Sequence, residues 1–200
     1  MKTMNKGLAF FLIAAICFVL AFGLCGYNLY ENYRAEQLSQ SALEAIHQAV
    51  SKTESVSGEL PDYQIHPTMD MPTVTVDGLD YIGVLSIPSR NLELPVASEW
   101  SYPNLKKAPC RYKGSAYTNN LILAAHNYSS HFGDLKNLPI GERVMFTDVD
   151  GNLFTYVVVE QEVLQPTAIE QMQSGEWDLT LFTCTLGGSY RVTVRLELQS

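Results

Sequence analysis

The sequence predicts a mainly β domain, either a closed barrel or a sandwich, that follows an N-terminal helix. From Asp80 onward the chain contains many short apolar or alternating segments separated by turn residues, with little helical periodicity. Before that point, residues 7–30 form one apolar run without a charged side chain. A chain of 200 residues is long enough for one such domain and an appendage.

The apolar run predicts a membrane anchor. It is about as long as the ~20 apolar residues that cross a bilayer core. A secretory signal has an apolar region of only about 7–15 residues before a small-residue cleavage site, and Phe22-Gly23-Leu24 is a poor cleavage site. We therefore predict an uncleaved single-pass anchor in residues 1–30. The flank with Lys2 and Lys6 would lie in the cytoplasm, and the rest would lie outside the plasma membrane.

Two segments connect this anchor to the β domain. Residues 31–53 have the pattern of a polar helix with a thin apolar stripe, which we interpret as a stalk. Residues 54–78 contain several prolines and glycines without periodicity, which is typical of a linker or a possible lid. Residues 79–200 form the predicted β domain. The apolar stripe consists of Leu38, Leu43, Ile46 and Val50.

The β domain itself begins with an alternating segment, Tyr81–Ile87, that ends at a proline. Asn120–Ala125 is a nearly continuous apolar run, typical of a strand buried on both faces. Further strands are predicted at Leu92–Val96, Arg143–Thr147, Leu153–Val163, Asp178–Cys184 and Tyr190–Leu198. Short helices are expected near Trp100–Leu105, His131–Asn137 and Ala168–Ser174.

Composition excludes several classes of function. The formal net charge is −8 and the pI is about 4.9, so the chain would repel nucleic-acid phosphates. Cys17 and Cys25 fall in the apolar run, which leaves Cys110 and Cys184 in the β domain. Two cysteines do not make a disulfide framework, and without a CxxC motif we expect no structural zinc. We interpret Cys110 as a small buried side chain.

Two reactive side chains lie at strand ends. Cys184 ends the segment Asp178–Cys184, and His126 follows Asn120–Ala125. Because the rim of a barrel can bring strand ends together, the pair is a candidate for cysteine–histidine catalysis. Arg191 begins the last strand, and a guanidinium there would stabilise negative charge on a reacting carbonyl oxygen. Arg195, on the same strand face, is the alternative arginine.

These segments resemble one known family. Thr180-Leu181-Phe182-Thr183-Cys184 is similar to the TLxTC signature of sortases, the cell-surface cysteine transpeptidases of Gram-positive bacteria. The stretch from Asn120 to Asn127 resembles the stretch that leads to the family's catalytic histidine. An arginine that opens the next strand also fits, which favours Arg191 over Arg195. The resemblance covers about residues 80–198 and implies a closed eight-stranded β-barrel with short helices.

The resemblance also implies roles for these residues. Cys184 would attack the threonine carbonyl of an LPxTG-like sorting signal and form a thioacyl intermediate, with His126 as the proton carrier. Arg191 would hold the carbonyl oxygen. The remaining predicted site residues would bind substrate; they are Thr183, Asn127 and Leu181.

The partners implied are a protein with a sorting signal and an amine acceptor, either a cell-wall precursor or a pilin lysine. We expect a monomer without a cofactor. Because only Glu93 stands where calcium-activated sortases carry several acidic residues, we also expect no metal. The sortase class stays open, since Pro61-Asp62-Tyr63 is not the lid motif of pilin-polymerising enzymes. The alternatives are a pilin-polymerising sortase and a non-catalytic assembly or binding module on the same barrel.

Overall fold

The computed structural model describes residues 6–53 and 60–199, which form one long helix and a β-barrel. Two predicted segments lie partly outside this range. They are the flank predicted to be cytoplasmic, of which only Lys6 is described, and the predicted linker, of which residues 54–59 are not described. The helices are α1 (Lys6–Thr53), α2 (Asp62–Ile65), α3 (Tyr102–Leu105) and α4 (Ile169–Gln173). The strands are β1 (Val74–Val76), β2 (Leu79–Ile87), β3 (Leu92–Ala97), β4 (Cys110–Lys113), β5 (Leu121–Ala124), β6 (Arg143–Asp148), β7 (Leu153–Leu164), β8 (Leu179–Cys184) and β9 (Arg191–Leu198). Within residues 6–53 and 60–199, 3-10 turns lie at Pro88–Arg90, Ala116–Thr118 and Leu135–Asn137.

Eight of the nine strands in the described part of the chain close into a barrel. They follow the order β2-β3-β4-β5-β8-β9-β7-β6, and β6 pairs back with β2. The pairs β3–β4 and β5–β8 are parallel and the others are antiparallel, while β1 extends the sheet outside the ring along the start of β2. The predicted closed eight-stranded barrel with short helices is confirmed. The short strands β1 and β4 were not among the segments predicted from sequence.

Gly83 allows the barrel to close. It lies at a bulge in β2, where the strand begins to pair with β6 as well as β3. A Cβ at this position would lie 2.8 Å from the Cα of Asp148 and would also collide with the carbonyl of Thr147. The two strands can approach this closely only because the residue is glycine.

Alternating side chains of the strands fill the barrel interior. Val192, Val194 and Leu196 of β9 face inward and pack against Leu179 and Leu181 of β8 in the main apolar cluster. The residues between them face outward, so Cys184 and Arg191 lie on the outer side of the wall. Because side chains alternate in this way, Cys184 and Arg191 remain accessible at the strand ends while the apolar side chains fill the barrel interior.

The helix α1 has two parts with different surroundings. Its N-terminal part contains an 18-residue window of mean hydropathy 2.6, none of it buried, and α1 is the one described helix that is long and apolar enough to cross a membrane. Farther along, buried residues recur every three or four positions, and they contact β1, β2 and β3. The predicted stalk therefore lies against the barrel. The buried residues are Ala35, Ser39, Ala42 and Ile46.

The described part of the predicted linker covers one end of the barrel. Tyr63 of α2 stacks on Tyr117 with ring centroids 4.7 Å apart, and its ring lies 5.3 Å from that of Phe154. Tyr117 precedes the start of β5 and Phe154 lies at the start of β7. This end of the barrel is opposite to the end at which β5 and β8 finish.

Candidate active site

The pairing of β5 with β8 brings His126 beside Cys184. The strands are parallel and in register from Leu121 opposite Leu179 to Ala124 opposite Phe182. Beyond the strand end, the backbone N–H of Ala125 donates to the carbonyl of Phe182 at 3.2 Å. Continued two residues beyond Ala124, this register sets the backbone of His126 opposite that of Cys184 at the same rim, where neighbouring strands lie ~4.8 Å apart.

A side-chain hydrogen bond holds the two strand ends together. The hydroxyl of Thr183 donates to the carbonyl of Ala125 at 2.8 Å, and the Thr183 side chain is only 4% exposed. The bond joins the residue before the histidine to the residue before the cysteine. Thr183 therefore positions both reactive side chains.

Arg191 lies on the other side of Cys184. The two residues are direct partners in the antiparallel pair β8–β9, so their Cβ atoms are about 5 Å apart on the same face. The Nη1 group of Arg191 donates to the carbonyls of Gly188 at 3.1 Å and Tyr190 at 3.2 Å. Within residues 6–53 and 60–199, Nε and Nη2 have no hydrogen-bond partner, so they are free to bind a ligand oxygen.

A cavity of about 300 Å³ opens at this rim. Cys184 lines it and is partly exposed. Asn127 also lines it, and its side-chain amide donates to the carbonyl of Thr185 at 3.5 Å. None of the described linker residues lines this cavity. The other lining residues are Phe132, Gly133, Lys136, Thr183, Thr185, Leu186 and Val192.

The surroundings of His126 favour its neutral form. Burial lowers the pKa of the half-buried imidazole, the positive charge of Lys106 lowers it further, and Glu31 of α1 acts in the opposite direction. The ring of Tyr128 stacks on the imidazole with centroids 4.9 Å apart. A neutral imidazole with a fixed plane can accept the proton of a neighbouring thiol.

His131 lies behind this pair and has a different character. It is 1% exposed, and neither ring nitrogen has a hydrogen-bond partner among the described residues. Burial lowers its pKa to about 4, with a smaller contribution from His126. Its ring lies 5.5 Å from that of Tyr128. His131 is a neutral packing residue behind Tyr128.

The position of Leu181 corrects one prediction. We expected Leu181 to bind substrate, but its side chain has no exposed surface and lies in the main core cluster. It shares the inward face of β8 with Leu179, since side chains alternate along a strand. Asn127 and Thr183, the other two residues predicted to bind substrate, line the cavity.

Cys110 is a chemically inert thiol. Its side chain is fully buried, and Sγ donates to the carbonyl of Ala108 at 3.4 Å. Burial raises its pKa to about 12, so the thiolate is not formed at neutral pH. Of the two cysteines in the β domain, only Cys184 is accessible.

Arg195 is the structural arginine of β9. It is 2% exposed, and its Nε and Nη2 lie 2.8 and 2.7 Å from Oε1 of Glu162. Nη1 donates to the hydroxyl of Thr180 at 3.0 Å and to the carbonyl of Met172 at 2.8 Å, and Nη2 donates to the carbonyl of Gln171 at 2.8 Å. These bonds fix α4 to the barrel wall, and no group of Arg195 is left for a substrate.

Sequence reasoning missed three residues around His126. Tyr128 follows the histidine by two positions, and an aromatic side chain so near a candidate base was the only available signal. Lys106 and Glu31 are distant in sequence and approach His126 only through the packing of α1 and α3 on the barrel.

A sequence model of a protein family and a curated relative both match this chain, and both are sortases. The sequence model of the sortase family, described as a Sortase domain, matches residues 85–199, which is more than half of the chain. Sortase A of Bacillus anthracis is 28% identical in sequence over 90% of this chain and 89% of the relative.

Solved structures agree at the level of the fold. A sortase D5 transpeptidase of Clostridium perfringens superposes with a TM-score of 0.62 at 18% identity, covering 82% of this chain and 99% of the other. Sortase A of Corynebacterium diphtheriae gives a TM-score of 0.55 at 17% identity, covering 90% of this chain and 95% of the other.

Proposed function

The chain belongs to the sortase family, and from that premise we propose that it is a membrane-anchored cysteine transpeptidase that uses Cys184, His126 and Arg191. Membership of the family supports transpeptidase chemistry in general. One observation supports the three residues: β5, β8 and β9 are adjacent, and their register leads to these three positions at one rim.

The first half of the proposed reaction forms a thioester. Sγ of Cys184 attacks the threonine carbonyl carbon of an LPxTG-like sorting signal while the thiol proton passes to the neutral imidazole of His126. The tetrahedral intermediate collapses with cleavage of the C–N bond, and the same proton goes from His126 to the departing amine. The acyl part of the substrate remains attached to Cys184.

The second half transfers the acyl group. An amine attacks the thioester carbonyl, His126 takes the proton that the amine loses, and the proton returns to sulfur as the C–S bond breaks. The acceptor amine belongs to a cell-wall precursor or to a pilin lysine. In both halves the free Nε and Nη2 donors of Arg191 stabilise the oxyanion, a kind of contact worth about 2.7–4 kcal/mol in other enzymes.

The apolar part of α1 supports the proposed location. The chain would cross the plasma membrane once, with its N-terminus in the cytoplasm and the barrel outside. A sorting-signal protein that is still held in the same membrane would then meet the enzyme.

A peptide assay with an added amine tests this function. The full-length protein is incubated with an LPxTG peptide and hydroxylamine, and the products are identified by mass spectrometry. We expect the threonine hydroxamate from the wild type and from Cys110→Ala, which alters only the inert thiol. Cys184→Ala and His126→Ala should form at least ~10³-fold less product, as expected when a nucleophile or its base is lost.

Two results would contradict the proposal. A product that is only the free acid, even at high amine concentration, would indicate a peptidase. No cleavage of any peptide in a sorting-signal library, together with failure of a charged thiol reagent to label Cys184, would favour the non-catalytic module.

A further inference from the structure

A cluster of cations lies between α1 and α3. Arg34, Lys106 and Lys107 line a cavity of about 380 Å³ together with Tyr102, and no carboxylate of the described residues lines it. The three cations make no ion pair with any residue that the structure describes. The chain carries 13 Lys and Arg against 21 Asp and Glu, so this basic groove is a local reversal of the overall charge.

The basic groove lies just beyond the end of the apolar run. Arg34 is four residues after residue 30 on the same uninterrupted helix, which corresponds to a rise of about 6 Å. The headgroup region of a bilayer is roughly 5–8 Å thick on each side of the hydrocarbon core. If residues 7–30 fill that core, Arg34 lies at headgroup height. Lys106 and Lys107 lie near Arg34 because they line the same cavity.

Exposed aromatic side chains lie next to the groove. Tyr102 is 72% exposed and Trp100 is 39% exposed, and their ring centroids are 5.2 Å apart. Exposed tryptophan and tyrosine side chains are characteristic of the membrane–water interface, where one part of the ring is apolar and the other is hydrated. Cations and aromatics together match the chemistry of a headgroup layer.

We propose that the basic groove, with Trp100 and Tyr102, binds the phosphate groups of anionic phospholipids in the leaflet from which α1 emerges. This inference rests on the anchoring part of the proposed function and is independent of the chemistry at Cys184. The barrel lies against the membrane surface rather than standing away from it.

The orientation that follows brings the active site to the membrane. Lys106, which lines the basic groove, and Glu31, which precedes Arg34 on α1, both act electrostatically on His126. The rim with His126 and Cys184 is therefore the rim nearest to the point where α1 leaves the bilayer. A sorting signal that emerges from the membrane meets this rim first.

Quenching of tryptophan fluorescence by brominated lipids tests the proposal, because the chain has only two tryptophans. The full-length variant Trp177→Phe, reconstituted in vesicles, reports on Trp100 alone. We expect bromolipid quenching in vesicles that contain phosphatidylglycerol, and at least twofold weaker quenching in pure phosphatidylcholine. High salt should also weaken the quenching, because 1 M salt screens interactions between charges that are more than about 3 Å apart.

Matched variants separate the groove from general effects of charge. The double variant Lys106→Glu and Lys107→Glu should lose at least half of the quenching in phosphatidylglycerol vesicles. Lys113→Glu should retain it, since Lys113 is exposed and pairs with Ile122 at the start of β5, the end away from His126. Trp100→Phe, which leaves Trp177 before β8, should show little quenching in any vesicle.

The proposal is overturned if Trp100 is not quenched. It is also overturned if the quenching is the same in both kinds of vesicle and the same in the double variant Lys106→Glu and Lys107→Glu. Extraction of the membranes with alkaline carbonate separates this failure from failure of the anchor. Protein that remains in the membrane without quenching refutes the groove alone. Protein that is released refutes the anchor and the groove together, while the hydroxamate assay in solution still tests the chemistry.

Discussion

Two charges of opposite sign act on the imidazole of His126, and at the scale of the residue we predict the effect of removing each. Burial is the main cause of its lowered pKa, and Lys106 adds to the effect by destabilising the imidazolium. Replacement of Lys106 by Gln removes a positive charge and should raise the pKa of His126. Replacement of Glu31 by Gln removes a negative charge and should lower it further. An NMR titration of the imidazole measures both shifts.

The neighbouring Lys107 supplies the control for this titration. It is not among the charges that shift the pKa of His126, so Lys107→Gln should leave the titration close to that of the wild type. A lower pKa in Lys106→Gln, or an equal shift in Lys107→Gln, would show that Lys106 does not act on the imidazole as described.

The sequence contained strong local signals for some site residues and none for others. Cys184, His126 and Arg191 each stand at a predicted strand end, so a one-dimensional pattern was enough to select them, and their catalytic roles stay predictions. Leu181 was selected because it lies in the same motif, but strand alternation turns it into the core. Lys106 and Glu31 could not be predicted, because their approach to His126 depends on tertiary packing.

At the scale of the element, we predict that the two arginines of β9 contribute very differently to the stability of the fold. Arg195→Ala should lower the free energy of unfolding by about 3–5 kcal/mol, because it leaves Glu162 and buried carbonyl groups without their partner. Arg191→Ala removes a partly exposed side chain and should change stability by about 0.5 kcal/mol or less. Urea unfolding followed by circular dichroism measures both.

Measurements of activity should also distinguish the two arginines, since here the large effect is expected for Arg191. Arg191→Ala should reduce kcat/KM for the peptide about 10²–10³-fold, the effect of losing an oxyanion donor. A large loss of stability in Arg191→Ala, or full activity in that variant, would mean that the roles of the two arginines have been assigned wrongly.

Most strands were predictable because their apolar residues alternate or run continuously. β4 was missed because Cys110–Lys113 is short and largely polar, and β1 was missed because three residues carry too little pattern. Closure at Gly83 was also not predictable, since it depends on how closely two strands that are distant in sequence approach each other.

At the scale of the whole molecule, the main departure from expectation is the position of α1. Of the apolar stripe predicted in residues 31–53, Ile46 is buried and Leu43 and Val50 are partly buried, and sequence alone does not say what such a face packs against. In the structure it packs on the outside of β1, β2 and β3. The helix that enters the membrane is thereby joined to the barrel wall next to the proposed active site.

The central claim is that Cys184 carries an acyl group between two amines. The most direct measurement is mass spectrometry of the full-length protein mixed with an LPxTG peptide and quenched in acid before any amine is added. We predict that the peptide fragment ending in threonine is attached to Cys184 as a thioester, and that hydroxylamine releases it as the hydroxamate. Attachment at another residue, or cleavage that proceeds unchanged in Cys184→Ala, would contradict the claim.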